Sequence, residues 1–272
     1  MAEKLKIASR GQGIPLVLIH GWGLNSAIWQ PIADKLSAYV KVITVDIPGY
    51  GTNKSTTVNP YTLTNICQSI VSTINEPAIY AGWSLGGLIA TEIAHTHKSD
   101  TLGLITIASS PFFTEELKPS DTHNWPGIKP QVLEDFHQQL SVNPQKTIEA
   151  FLKIQAMGSP SIRHDLKLIK SLMLQLPTPE KHTLKDSLTL LATVDQREIL
   201  PTLTLPFLRL YGEYDTLVPV KLAELVSDLS PKSEQYIIKK ASHAPFISHP
   251  DEFFQLVTSW LKKQYPKKST TY

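Results

Sequence analysis

Gly82-Trp83-Ser84-Leu85-Gly86 stands between Ala78-Ile-Tyr-Ala81, a short apolar β-run, and Leu88-Ile-Ala-Thr-Glu-Ile-Ala94, a stretch with helical spacing. A serine on so tight a strand-to-helix turn is forced into a strained conformation that only small neighbours permit, and Gly82, Gly86 and Gly87 supply them. That context constrains the rest of the chain: the strand must be buried on both faces and a helix must pack directly behind it. Further β-runs fit this demand, namely Leu16-Val-Leu-Ile19, Val42-Ile-Thr-Val45, Leu104-Ile-Thr-Ile107, Pro206-Phe-Leu-Arg-Leu-Tyr211 and Gln235-Tyr-Ile-Ile238. Most are uniformly apolar, as parallel strands covered on both faces tend to be, and helix-length amphipathic stretches alternate with them. The pattern predicts an α/β architecture with a mostly parallel central sheet flanked by helices.

From Phe112 to Arg197 the rhythm stops, and helical patterns punctuated by Pro119, Pro126, Pro130, Pro144, Pro160, Pro177 and Pro179 replace it. The expected organisation is a core of residues 1–111 and 198–266, with residues 112–197 inserted before the last strands as a helical cap. Residues 250–263 carry Phe253, Phe254, Leu256, Val257, Trp260 and Leu261 near helical spacing and should form a closing helix. Residues 267–272 are expected to be a disordered tail. A chain of 272 residues suits one domain with such an insertion.

Charge gives no general reason to expect nucleic acid or an anionic membrane as partner, since 26 basic residues face 24 acidic ones for a net +2. The start lacks the basic end and apolar run of a secretory signal, and no stretch approaches the roughly 20 apolar residues of a membrane span, so a soluble, cytoplasmic monomer is expected. The single cysteine, Cys67, lies within the helix-like stretch Leu63–Ile74, where a buried, unreactive thiol is expected.

Two more loops carry chemistry. Tyr211-Gly-Glu-Tyr-Asp215 follows one β-run, and Ala241-Ser-His243-Ala-Pro follows the last. A serine hydroxyl is a weak nucleophile near neutral pH, so His243 is needed to take the Ser84 proton, and Asp215 to hold the imidazole tautomer and stabilise the imidazolium. The order Ser84, Asp215, His243 is that of the α/β-hydrolase fold. Glu213 is a rival carboxylate two residues from Asp215, but Asp215 lies in the loop rather than at the strand's end. His20-Gly-Trp22-Gly23 follows the first apolar run, where this fold supplies a backbone N–H to an oxyanion; Trp22 and Leu85 are the candidate donors. His20 reads as a structural residue of that turn, His249 as a cap beside Pro250, and Asp46 and Asp195 as turn or capping residues. Asp46-Ile-Pro-Gly-Tyr-Gly51 lacks the spacing of a phosphate loop. No cluster has metal-ligand spacing, so acyl transfer to water without metal or other cofactor is the expected chemistry.

With these motifs the chain closely resembles the pimeloyl-[acyl-carrier-protein] methyl ester carboxylesterases of biotin biosynthesis. The likeness runs nearly end to end, through Leu18-Ile-His-Gly-Trp-Gly-Leu-Asn25, Gly82-Trp-Ser-Leu-Gly-Gly-Leu88, Ala108-Ser-Ser-Pro111, Trp125-Pro-Gly-Ile-Lys-Pro130, Phe207-Leu-Arg-Leu-Tyr-Gly212 and Ala244-Pro-Phe-Ile-Ser-His-Pro250. The resemblance implies hydrolysis of a methyl ester on a pimeloyl chain still carried by acyl carrier protein, the catalytic residues being Ser84, Asp215 and His243. It also implies substrate contacts from Trp22, Ser84, Leu85, Phe151, Leu152, Lys153, Ile154, Gln155 and His243.

The cap adds a physical reason to expect an acidic carrier. Between Lys146 and Lys185, the bases Lys146, Lys153, Arg163, Lys167, Lys170, Lys181 and Lys185 outweigh Glu149, Asp165 and Glu180. Arg163, Lys167 and Lys170 share a helix face by their spacing and, with Lys146, are the candidate docking residues. Lys146 and Ala150 stand where the family tends to place arginine, and lysine is a weaker fork for phosphate or carboxylate. A broad short-chain carboxylesterase, a carbon–carbon bond hydrolase and a cofactor-free peroxidase use the same triad and stay open as alternatives. Ser84 argues against a dehalogenase or epoxide hydrolase, which need a carboxylate there, and an intact triad argues against a non-catalytic sensor.

Overall fold

The computed structural model describes residues 4–117 and 124–266. Seven strands, β1 (Ile7–Arg10), β2 (Pro15–Ile19), β3 (Lys41–Val45), β4 (Ala78–Trp83), β5 (Thr101–Ile107), β6 (Phe207–Gly212) and β7 (Glu234–Ile238), form one sheet of order β1-β3-β2-β4-β5-β6-β7. Only β1 runs antiparallel to its neighbour; the other pairings are parallel. The helices are α1 (Gln30–Leu36), α2 (Leu63–Ile74), α3 (Leu85–Thr96), α4 (Pro130–Val142), α5 (Pro144–Ala156), α6 (Ile162–Met173), α7 (Lys181–Thr193), α8 (Leu222–Leu229), α9 (Pro245–Ser248) and α10 (Pro250–Gln264). Alternate side chains of the central strands serve opposite faces. Leu16, Leu18, Ala81, Ile105 and Ile107 pack with Ile32 and Leu36 of α1 and with Phe253 and Val257 of α10. On the other face α2 packs on α3, and Thr91 of α3 meets Val226 of α8 across Thr106 and Arg209.

Strand order positions the site. From β2 the chain crosses outward to β3, whereas from β4 it crosses the other way to β5, so the loops leaving β2 and β4 diverge from a switch point where Ile19 pairs with Gly82. Because β2, β4, β6 and β7 are parallel, the loops carrying Trp22, Ser84, Asp215 and His243 all leave the same edge of the sheet.

Helices α4 to α7 lie between β5 and β6. The prolines act as punctuation: Pro130 and Pro144 open α4 and α5, where their missing N–H costs nothing, and Pro160, Pro177 and Pro179 precede α6 and α7. The helical expectation fails before Pro130. There the described residues are extended, with isolated bridges Thr114↔Ile128 and Glu116↔Trp125, because Trp125 Nε1 donates to the Phe112 carbonyl and Arg197 stacks on both rings while pairing with Glu116 and Asp195. Pro119 and the tail 267–272 lie outside the described residues. The expectation of strands covered on both faces fails at β7, an edge strand whose Tyr236 and Ile237 are exposed. Cys67 is buried in α2, its thiol pushed up by burial and donating to the Ile89 carbonyl. Among the described residues no helix is long and apolar enough to cross a membrane.

Candidate active site

Ser84 connects β4 to α3 at φ 54° and ψ −118°, a region that side chains avoid at a cost of about 1–3 kcal/mol. The backbone is held there by its own hydrogen bonds: Ser84 N–H donates to the Ile107 carbonyl, and the Ser84 carbonyl accepts from the Gly87 N–H and the Ser109 hydroxyl. A Cβ on Gly82 would lie 1.9 Å from the Gly86 carbonyl oxygen, and one on Gly86 would lie 2.3 Å from that of Ile19. The glycines thus let the elbow close on itself and on the end of β2.

The loops after β6 and β7 bring Asp215 and His243 together, with His243 Nδ1 donating to Asp215 Oδ2 at 2.8 Å. Asp215 Oδ1 accepts the N–H groups of Leu217 and Val218 at 2.8 and 3.0 Å, so the whole carboxylate is engaged. Glu213 points elsewhere and accepts the Lys240 N–H. His249 occupies the N-cap position of α10 without a side-chain cap bond, and its Nδ1 contacts the Ser248 hydroxyl. Asp195 holds Arg197. A residue that motif reading passed over, Trp83, docks the histidine beside the elbow: its indole N–H donates to the His243 carbonyl at 2.7 Å and the two rings lie 5.6 Å apart. The signal available in the sequence was its place next to the serine, since a buried indole needs an acceptor. His243 Nε2 is buried and has no partner among the described residues, and no Ser84–His243 hydrogen bond is formed; in unliganded sites this link is often made only on substrate binding.

After β2, His20 Nδ1–H donates to the Gly21 carbonyl at 2.8 Å, while its Nε2 accepts the Ile47 N–H, which fixes the neutral tautomer. In a planar trans peptide the C=O and N–H point in opposite directions, so gripping the Gly21 oxygen also aims the Trp22 N–H. That N–H has no backbone partner among the described residues. Leu85 is the first residue of α3, where the helix ladder leaves the N–H free. Asp46 ties the neighbouring loops by accepting from the Ser26 N–H and from the N–H and hydroxyl of Thr52.

Burial holds His20 below its ordinary value, opposed in part by Asp46 and the Gly21 carbonyl. A folded value below the unfolded one means that the unfolded chain binds the proton first, so this stability is present above about pH 6.5 and is lost as pH falls below it. We predict that His20→Asn flattens the decline in urea midpoint between about pH 7.5 and 5.5. A decline as steep as the parent's would remove His20 as its source.

Helices α5 and α7 pack against the loop after β2, and Ser84 and His243 are each only 1% exposed. Phe151 of α5 meets the Trp22 ring edge-on at 4.8 Å, and Ile148 lies over Gly23. Leu152 is buried and Ile154 half-buried beside them, whereas Lys153 is exposed on the outer face; the helical period splits the stretch expected to contact substrate. Gln155 is completely buried, and neither its amide nitrogen nor its oxygen has a partner among the described residues. Lys146, Arg163, Lys167 and Lys170 are all exposed, but Lys170 is engaged by Glu149 at 3.0 Å. Among the described residues no three His, Cys, Asp or Glu side chains form a group that could hold a metal ion.

Comparison with known proteins bears on the fold and the family. Residues 14–250 match the α/β-hydrolase fold family. The pimeloyl-[acyl-carrier protein] methyl ester esterase of Vibrio vulnificus (strain CMCP6) is 43% identical over 263 residues, covering 97% of this chain and 100% of that protein. Among solved structures, an esterase from Exiguobacterium antarcticum superposes with a TM-score of 0.81 at 21% identity, covering 95% of each chain. A bromoperoxidase from Bacillus anthracis gives 0.81 at 20%, covering 94% of each. At a fifth identity these two speak to the fold alone. The chain belongs to the α/β-hydrolase fold family and, within it, to the pimeloyl-[acyl-carrier protein] methyl ester esterases.

Proposed function

We propose that this chain is a serine carboxylesterase that releases methanol from the methyl ester of pimeloyl-[acyl-carrier protein], with Ser84 as nucleophile, His243 as general base and then acid, and Asp215 as its orienting carboxylate. The observation that carries the reading is the His243–Asp215 pair, with His243 Nε2 buried and without a partner among the described residues and its main chain held by the Trp83 indole beside a strained serine. Ser84 Oγ attacks the ester carbon as Nε2 takes its proton, and the carbonyl oxygen becomes an anion facing the Trp22 and Leu85 N–H groups. Nε2 then protonates the departing methoxide. Water, deprotonated by the same nitrogen, cleaves the acyl-serine and frees the acid. A new carboxylate is poorly housed among Trp22, Phe151 and Leu152, which favours its release.

In this reading residues 112–197 act as a cap over a core of residues 1–111 and 198–266. The acyl chain threads beneath α5 while the carrier stays outside, against Lys146, Arg163, Lys167 and the Glu149-paired Lys170. The test is kcat/KM for the carrier-bound ester beside a short aryl ester. A clear preference for the first supports the assignment, and a preference for the free ester would leave a general carboxylesterase. Charge reversal at Arg163 and Lys167 should raise KM for the carrier-bound ester and spare the aryl ester. Equal effects on both would remove carrier docking from this face.

A further inference from the structure

One face of α7 is bound to the loops after β2 and β3, on one side of the nucleophile elbow. Leu184 and Ser187, three residues apart and so on one side of the helix, each reach a different loop. The Leu184 carbonyl accepts the Trp22 indole N–H at 3.0 Å, and the Ser187 hydroxyl lies 2.6 Å from that of Tyr50, which follows β3. Thr183, on the same turn, sits against Gly49 so closely that a Cβ there would lie 2.6 Å from its methyl group. Tyr50 and Ser187 are fully buried. Ser187 also donates to the Thr183 carbonyl at 2.6 Å, so the bridging proton comes from Tyr50, whose hydroxyl burial pushes up and keeps protonated. The backbone of Gly23 is a further polar neighbour of that hydroxyl, and the Tyr50 ring lies 5.2 Å from the His20 imidazole that holds the Gly21 carbonyl. Residues 20 to 23, the oxyanion loop, are therefore gripped by α7 at Trp22 and through Tyr50.

We propose that Tyr50 and Ser187 are positioning residues: they strap α7 to the loop after β2, so that the Trp22 N–H is aimed at the oxyanion only while the cap is seated. The idea rests on the oxyanion role given to Trp22 above. With Ser84 and His243 nearly inaccessible, an ester reaches them only when the cap shifts. A shift of α7 withdraws the Leu184 carbonyl and Ser187 together, and reseating restores both. Stabilisation of the transition state is thereby confined to the closed, water-poor site.

Tyr50→Phe cuts the strap while Ser187 keeps its bond to Thr183, but it also strands the Gly23 backbone group that the hydroxyl engages; Ser187→Ala, which leaves that contact in place, and the double variant accompany it. The measurements are kcat and KM for a short aryl ester, and the affinity of an alkyl trifluoromethyl ketone against its unfluorinated ketone. The fluorinated compound adds Ser84 to its carbonyl carbon, the serine proton passing to His243 and the oxygen becoming the anion. We expect kcat and trifluoromethyl ketone affinity to fall in parallel by about tenfold, a fraction of the 10²–10³ that a whole oxyanion donor supplies, with KM little changed. The double variant should be no worse than Tyr50→Phe, since one strap is cut. Parent-like kcat and ketone affinity, or losses that multiply in the double variant, would overturn the strap. If the parent itself binds the fluorinated ketone no tighter than the plain one, the oxyanion assignment fails first and the strap with it.

Discussion

Replacing Ser84 with alanine is expected to lower kcat by about five to six orders of magnitude while leaving the fold in place, in line with the loss of a nucleophile from other triads. The size follows from the chemistry: without Oγ there is no acyl-enzyme, and the residual rate comes only from binding and the two N–H groups facing the carbonyl oxygen. Folding should survive because the elbow is held by main-chain groups. Ser84 N–H on the Ile107 carbonyl, and its own carbonyl beneath Gly87 and Ser109, are untouched by the substitution. Alanine also keeps the Cβ, hence the same strained backbone, so the variant gains no relief that could be mistaken for a structural change. Steady-state turnover of an aryl ester, with a thermal melt as control, decides the matter. Parent-like turnover in a folded variant would falsify the nucleophile assignment.

Much of this was legible in the sequence because the decisive features are local. The elbow needs a strand, a serine among glycines and a helix, all within residues 78–94, and parallel strands buried on both faces read as apolar runs. Each of the six runs read in advance lies within, or within one residue of, an observed strand. What stayed hidden depends on partners far away in the chain. β1 is four residues long, mostly exposed and without an apolar pattern; only its pairing with β3 makes it a strand. Residues 112–117 and 124–128 looked like part of a helical segment, yet their conformation is set by Trp125, Glu116 and Arg197 rather than by propensity. The resemblance named a continuous stretch ending at Gln155, and the helical period turns Lys153 out of it. Neither Tyr50 nor Ser187 carries a signal for the other, being 137 residues apart, and their meeting follows from how α7 lies over the loops after β2 and β3.

Asp215→Asn is expected to lower kcat by about 10⁴ with little structural change, and the hydrogen bonds around the carboxylate say why. Oδ1 accepts two backbone N–H groups, from Leu217 and Val218, and only an oxygen can satisfy them. An asparagine must therefore place its carbonyl oxygen there and turn its amide nitrogen toward His243. Facing a donor, His243 Nδ1 becomes an acceptor, and its proton moves to Nε2. An Nε2–H cannot take the serine proton, so the base is present, correctly seated on Trp83, and in the wrong tautomer. Glu213→Gln supplies the contrast: Glu213 accepts only the Lys240 N–H, a bond that a glutamine oxygen preserves, and turnover should stay near the parent's. A deep loss in Glu213→Gln with near-normal turnover in Asp215→Asn would reverse the two carboxylates' roles. A deep loss in Asp215→Asn alone fixes the acid of the triad on the loop after β6, where the geometry of its second oxygen makes the tautomer argument unavoidable.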